Sequence, residues 1–194
     1  TAALALAATA VSAQQTVKIG FITSYSGLNG NLGPYMERAV RLYLKQHEKE
    51  LGGVKVELIT RDDTGPNPDK ARQLAQELVV RDKVQLLAGV IFTPNAMAMA
   101  PIATEAKVPF VIMNAGTAVI TTRSPYMVRT SFTLWQSSYP LGQWAAKKYK
   151  TAYSLVSDFG PGHDCEEAFA KAFEEGGGKL VGRAHRRIAG IAAG

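Results

Sequence analysis

Hydrophobic positions along this chain follow two rhythms that take turns. Short apolar runs rich in branched residues suit buried strands, and longer stretches with apolar positions three and four apart suit helices with one covered face. Val17 to Thr23 is the first run. The stretch after it opens near Pro34, a residue at home in a first helical turn. It sets Met36, Ala39, Val40, Tyr43, Leu44, His47 and Leu51 on one face, and Gly52-Gly53 ends it. Val54 to Thr60 predicts a second strand. Asn67-Pro68-Asp69 reads as cap, first helical residue and acidic first turn, with Ala71, Leu74, Ala75 and Leu78 as the apolar face. Further strands are predicted at Val84 to Val90, Val108 to Met113, Tyr126 to Ser131, Tyr153 to Ser157 and from Lys179 to Val181. Further helices are predicted from a Thr93-Pro94 cap to Ala106, along Leu141, Trp144, Ala145 and Tyr149, and from an Asp164 N-cap to Glu175.

Strands and helices in alternation mean an α/β fold, a parallel sheet flanked by helices on both faces. Ligands of such sheets bind beyond the carboxyl ends of the strands. That rule selects the loops at 23–33, 61–67, 91–95, 114–118 and 158–163.

The ends of the chain change this picture little. The opening segment TAALALAATAVSA (residues 1–13) is apolar and uncharged, and Val11-Ser12-Ala13 resembles a cleavage site. It reads as the remainder of a signal peptide, with an exported mature protein from about Gln14. No later stretch reaches the roughly 18 apolar residues of a membrane span. One cysteine, Cys165, excludes an internal disulfide framework. The net charge is +6, but Arg183, Arg186 and Arg187 fall in the acid-free segment 183–194, which reads as an aberrant or truncated tail. Elsewhere basic residues are interleaved with acids, so nucleic acid is a poor partner.

The selected loops carry little chemistry of reaction. Gly27, Gly30 and Gly33 are three apart, whereas a dinucleotide fingerprint needs glycines at i, i+2 and i+5. A phosphate loop with its Lys and Ser or Thr is absent. Asp62 and Asp63 read as a solvated turn. There is no G-x-S-x-G and no H-E-x-x-H. His47, His163 and His185 are scattered, and His163-Asp164-Cys165 are adjacent rather than convergent. Asp164 reads as a helix cap, with Glu166 and Glu167 complementing the helix dipole. No catalytic residue, cofactor or metal is expected.

What the loops do offer is hydrogen-bond donors with aromatics beside them. Thr93 stands at a helix N-terminus, where N–H groups point outward. Ala115 and Gly116 let backbone approach a ligand, and Thr117 adds a hydroxyl. Tyr25, Ser26, Phe92 and Phe159 are expected to wall the same cleft. Three or four charge-assisted bonds of roughly 1.5–3 kcal/mol each bracket the roughly 8 kcal/mol of micromolar carboxylate binding.

The stretch "VKIGFITSYSGLNGNLGPYMERAVRLYLKQHEKELGGVKVELITRDDTGPNPDKARQLAQELVVRDKVQLLAGV" resembles the periplasmic substrate-binding proteins of branched-chain amino acid ABC transporters. "APIATEAKVPFVIMNAGT" and "DFGPGHDCEEAFAKAFEEGGGKLVG" continue the resemblance to about Val181. It implies a type I periplasmic-binding fold, with residues 16–131 as the N-terminal lobe and 132–182 as the start of an incomplete second lobe. It implies a ligand carboxylate held by the loops at Thr93 and Ala115-Gly116-Thr117. It matches Phe159 to an aromatic that is usually Tyr, so the usual hydroxyl contact is missing there. The expected partners are a small carboxylate, either a branched-chain amino acid or an aromatic acid, and ABC permease subunits. The expected setting is the periplasm, as a monomer at full length. "IFTPNAMAMAPIA" and "RTSFTLWQSS" are similar to aromatic-acid-binding members, where Phe132 and Trp135 could serve a ring or pack the core. A Rossmann-like nucleotide enzyme and a ligand sensor on the same fold stand as alternatives.

Overall fold

The computed structural model describes residues 15–187. The leader reading at 1–13 and the end of the tail segment lie outside the described residues. Strand β1 (Thr16–Thr23) is followed by α1 (Leu32–Gln46), β2 (Lys55–Asp62), α2 (Pro68–Val80), β3 (Leu86–Gly89), α3 (Thr93–Ala106) and β4 (Phe110–Ile112). A 3-10 segment (Ala118–Arg123) leads to β5 (Met127–Arg129). Then come α4 (Leu134–Ala146), β6 (Thr151–Ser157), α5 (Gly160–Glu175) and β7 (Lys179–Arg186).

The first five strands form one parallel sheet in the order β2-β1-β3-β4-β5. The chain leaves β1 toward β2 on one side and toward β3 on the other, so a switch point opens between the loops that follow β1 and β3. Ile22, Leu74, Leu78, Leu87, Met99, Ala103, Phe110 and Ile112 make one buried cluster where α2 and α3 cover the sheet. Phe21, adjacent to Ile22 on β1 and also fully buried, points to the opposite face by strand alternation. Both faces of β1 are therefore dry, as a central parallel strand requires.

At the end of β3 the backbone is strained. Gly89 has φ +110° and Val90, a branched residue, has φ +67°. Branched side chains rarely tolerate that region, and the cost is about 1–3 kcal/mol. The surroundings impose it. The Val90 N–H donates to the Ile22 carbonyl at 2.7 Å, the Val90 carbonyl accepts from Ala115 at 3.2 Å, and the side chain is fully buried. The strain turns the chain sharply into α3 at the switch point.

Two helix faces differ from expectation. On α1, Met36, Val40 and Leu44 are half-buried, but Ala39 and Tyr43 face outward. On α4, Ala145 is buried as expected, but Leu141 and Trp144 are about half exposed, as is Tyr149 just beyond the helix, and Gly142 and Ala146 are buried instead. The reason is close approach of α4 to α5. A Cβ on Gly142 would lie 2.5 Å from the Phe169 carbonyl oxygen, so only the smallest side chains fit the contact. The second sheet pairs β6 with β7 in parallel, and β7 continues to Arg186. The expected boundary at 182 thus falls inside a strand, and residues 183–186 pair with 154–157 of β6.

The first loop shows how tightly α1 is seated. A Cβ on Gly33 would stand 2.2 Å from the Ser24 carbonyl oxygen. Alanine normally stabilises a helix over glycine by roughly 0.5–1 kcal/mol. Gly33→Ala should do the opposite here, lowering stability by about 1–3 kcal/mol through overpacking against backbone. Urea unfolding checks the sign, and a stabilised variant would show that the loop is not packed on α1.

Candidate ligand-binding site

The carboxyl end of the first sheet is organised by buried polar groups. Asp62 and Asp63 close β2, and Asp63 is fully buried rather than solvated as the sequence suggests. Its carboxylate accepts from the Ser24 hydroxyl at 2.6 Å, the Asn95 amide at 2.8 Å and the Gly65 N–H at 3.2 Å. Burial pushes the Asp63 carboxyl above its usual range, against those three hydrogen bonds. Asp62, half exposed to solvent, goes the other way. Burial raises it, but the Ser26 hydroxyl and the Tyr25 and Thr64 N–H groups outweigh burial and lower it. Asn95 lies in the first turn of α3, so the Asp63 network fixes that helix end in place.

Thr93 is the first residue of α3, not its cap. The N-cap position is Phe92, and no side chain caps the helix. The Thr93 hydroxyl instead meets the Thr117 hydroxyl at 2.8 Å, with both residues buried. One hydroxyl donates to the other, which leaves a second proton to offer elsewhere. Across from them is Gly160, the first residue of α5. A Cβ there would lie 3.6 Å from Thr93 Cγ2 and 3.8 Å from Thr117 Oγ1. Helix α5 also has no side-chain cap. Two uncapped helix N-termini and two hydroxyls therefore meet at one point.

The carbonyls of the 115–118 loop are taken by other donors. Arg129 donates to the carbonyl oxygens of Thr117 at 2.8 Å and Ala115 at 3.3 Å, and Leu134 N–H donates to the Gly116 carbonyl at 2.8 Å. Burial lowers the Arg129 pKa, opposed by the nearby Asp164 charge. The result is a junction with donors inward and acceptors occupied. Helix dipoles add positive potential at the same place. Such an arrangement can hold an anion, above all a carboxylate.

Asp164 ties this junction together. Helix α5 starts at Gly160, four residues before the expected cap, because Gly160-Pro161 supplies the first turn. Asp164 is therefore inside the helix. Its carboxylate accepts from the Ala118 N–H at 3.0 Å and from the Trp135 indole N–H at 3.0 Å. Burial raises its pKa, against those two bonds. Glu166 also departs from its expected surface role. It is buried and bonded to Ser154, Arg183 and His185.

The residues singled out from the sequence divide into two groups. Thr93 and Thr117 converge with the α5 terminus that follows Phe159, and Gly116 adjoins them in the chain but packs against Leu134. Phe92 and Ala115 are buried beneath them, at 6% and 1% exposure, and act as support rather than surface. Tyr25 and Ser26 are engaged elsewhere. The Tyr25 hydroxyl donates to Glu37 at 2.6 Å, and the Ser26 hydroxyl donates to Asp62 at 2.6 Å. Burial and the Glu37 bond push the Tyr25 hydroxyl well above its usual range. Sequence reasoning missed Asn95, Arg129 and Gly160 as organisers, took Asp63 for a solvated turn residue and took Asp164 for a helix cap. A lone Arg at a strand end and a Gly-Pro before the expected cap were the available signals.

The Asp63 network makes a pH prediction. A carboxyl raised in the folded state binds its proton more tightly there than in the unfolded chain. Its contribution to stability is therefore full below its unfolded value of about 3.9 and is lost as pH rises through the folded value. Asp63→Asn cannot ionise. The stability of this variant minus that of the parent should grow as pH rises above about 4 in paired thermal melts. A constant difference would contradict the raised carboxyl. At low pH, where that contribution is full, Asp63→Ala should lose about 1–3 kcal/mol, because Ser24 and Asn95 lose their partner.

Comparison with known proteins agrees with this architecture. A family described as periplasmic binding protein matches residues 16–187. The chain is 45% identical over 181 residues to a Leu/Ile/Val-binding protein homolog of Brucella abortus, covering 93% of this chain and 46% of that protein. Among solved structures, a solute binding protein of an ABC transporter from Rhodopseudomonas palustris BisB5, in complex with 3,4-dihydroxybenzoic acid, is 46% identical with a TM-score of 0.85. That likeness covers 90% of this chain and 48% of the other. An R. palustris solute binding protein in complex with 4-hydroxybenzoate is 45% identical with a TM-score of 0.84, over 90% of this chain and 48% of its own. The chain spans about half the length of the curated relatives it matches. Its sheet order, its helix placement and the reach of these matches show a type I periplasmic-binding fold, and the chain belongs to the periplasmic binding protein family.

Proposed function

We propose that the protein is the periplasmic solute-binding component of an ABC importer, which captures a small carboxylate and delivers it to a membrane permease. One observation carries the reading. The Thr93–Thr117 hydroxyl pair meets the uncapped N-terminus of α5 at Gly160, with the neighbouring carbonyls held back by Arg129 and Leu134. Donors without acceptors suit an anion, and donors from two structural units suit one held between lobes. Ligand that contacts both units stabilises the closed arrangement by its differential contacts.

An aromatic carboxylate is favoured over an aliphatic amino acid. Both oxygens of Asp164, the buried acid at the junction, are occupied by Ala118 and Trp135, so it is a poor partner for an ammonium group. The relatives holding hydroxybenzoates are about half identical to this chain, whereas a leucine binding protein from Thermotoga maritima is 24% identical. The amino acid reading keeps the support of the Leu/Ile/Val-binding homolog.

Calorimetry on the full-length protein tests the proposal, with benzoate, 4-hydroxybenzoate, 3,4-dihydroxybenzoate, leucine and valine as ligands. The expected result is micromolar binding of an aromatic acid. Thr93→Ala and Thr117→Ala should each weaken it by roughly 10- to 100-fold, the loss of one charge-assisted hydrogen bond. No carboxylate binding, or full affinity in both variants, would overturn it. A thermal shift with NAD or ATP alone would favour a nucleotide enzyme.

A further inference from the structure

Two of the three histidines, His163 and His185, are brought together beside the second sheet. Asp158 follows β6, His163 lies in the first turn of α5, and His185 is near the end of β7. One ligand atom from each lies within 4.8 Å of the others. His163 Nε2 is 3.2 Å from Asp158 Oδ1, and the His163 and His185 rings meet edge to face at 4.8 Å. Two ligands of a tetrahedral zinc ion at their usual bond lengths are about 3.3 Å apart. The His163–Asp158 pair already spans one such edge, and the exposed His185 ring lies within 4.8 Å of both.

The groups behind these three are placed to support a metal. Buried Glu166 engages His185 Nε2 at 3.0 Å, which leaves Nδ1 as the nitrogen available to a metal. Glu166 is itself fixed by Ser154 and Arg183. A carboxylate behind a ligating imidazole sets its tautomer and orientation. The Asp158 N–H donates to the Arg186 carbonyl at 2.8 Å, so the loop that bears the carboxylate is tied to β7. Arg187 lies 3.9 Å from Asp158 Oδ2, the oxygen that His163 does not use. As a plain surface ion pair this group would contribute little, and such a pair has no use for a second imidazole.

We infer that Asp158, His163 and His185 form a three-ligand site for a divalent transition-metal ion, with Glu166 as the residue that positions His185. Two imidazoles and one carboxylate suit zinc, nickel or copper, and are poor ligands for magnesium or calcium. Three protein ligands leave a fourth position open for water or a ligand oxygen. The inference does not rest on the carboxylate reading, because all its residues belong to the second unit.

The test is zinc titration of the full-length, tag-free protein against a chromogenic chelator, with cobalt absorption as a second readout. The expected result is one equivalent bound at micromolar or tighter affinity, undisturbed by excess magnesium. Cobalt should give the intense visible band of a tetrahedral site. Glu166→Gln should weaken binding by about 10- to 100-fold, and His163→Ala and His185→Ala by at least as much. Zinc affinity weaker than about 1 mM, or undiminished in folded His163→Ala and His185→Ala proteins, would overturn the site. If the variants fail to fold, the cobalt spectrum of the unaltered protein decides: a weak octahedral spectrum rejects the assignment.

Discussion

The arrangement depends on one buried carboxylate. Asp164 accepts one hydrogen bond from the backbone at Ala118 and one from the Trp135 indole. Through these bonds it sets α5 against the loop that carries Thr117 and against the start of α4. A buried acid left with unpaired donors around it costs more than its bonds contribute, so its two partners must stay in register. That register puts Gly160 within van der Waals reach of the Thr93 and Thr117 side chains. Without it, two helix ends and a hydroxyl pair would be separate surface features.

The first unit is prepared for this meeting by strain and by a second buried acid. Val90 holds a conformation that branched residues avoid, because the Ile22 carbonyl and the Ala115 N–H leave it no alternative. Asp63 gathers Ser24, Gly65 and Asn95 and so pins the first turn of α3. Arg129 then takes the carbonyls of the loop that carries Thr117. Donors arranged in advance need no reordering when an anion arrives, and rigid donors of this kind reduce what binding must offset in lost freedom. The cost is borne in the folding of the domain.

Much of this could be read from the residues in order. The alternation of short apolar runs with amphipathic stretches gave the parallel sheet, and the carboxyl-end rule picked the loops that hold Thr93 and Thr117. The spacing of Gly27, Gly30 and Gly33 fits no phosphate cradle. In the structure these glycines serve close packing: a Cβ on Gly27 would come within 2.4 Å of the Thr64 carbonyl oxygen. What could not be read was long-range pairing. Asp63 looks like a solvated turn residue and Asp164 like a helix cap because local sequence does not show that Asn95 or Trp135 will close over them. The α4 face was misjudged because periodicity ranks large apolar side chains first, whereas a close helix contact selects Gly142 and Ala146. Tyr25 is aromatic and lies in the right loop, but Glu37 one helical turn into α1 takes its hydroxyl.

The central claim is that the Thr93–Thr117–Gly160 junction receives a carboxylate. A crystal structure of the full-length protein grown with 4-hydroxybenzoate tests it most directly. The account predicts the carboxylate within about 2.7–3.2 Å of both threonine hydroxyls and of backbone N–H groups at Gly116 or Gly160. A ligand bound through its ring alone, or seated away from these residues with the hydroxyl pair intact, would contradict it.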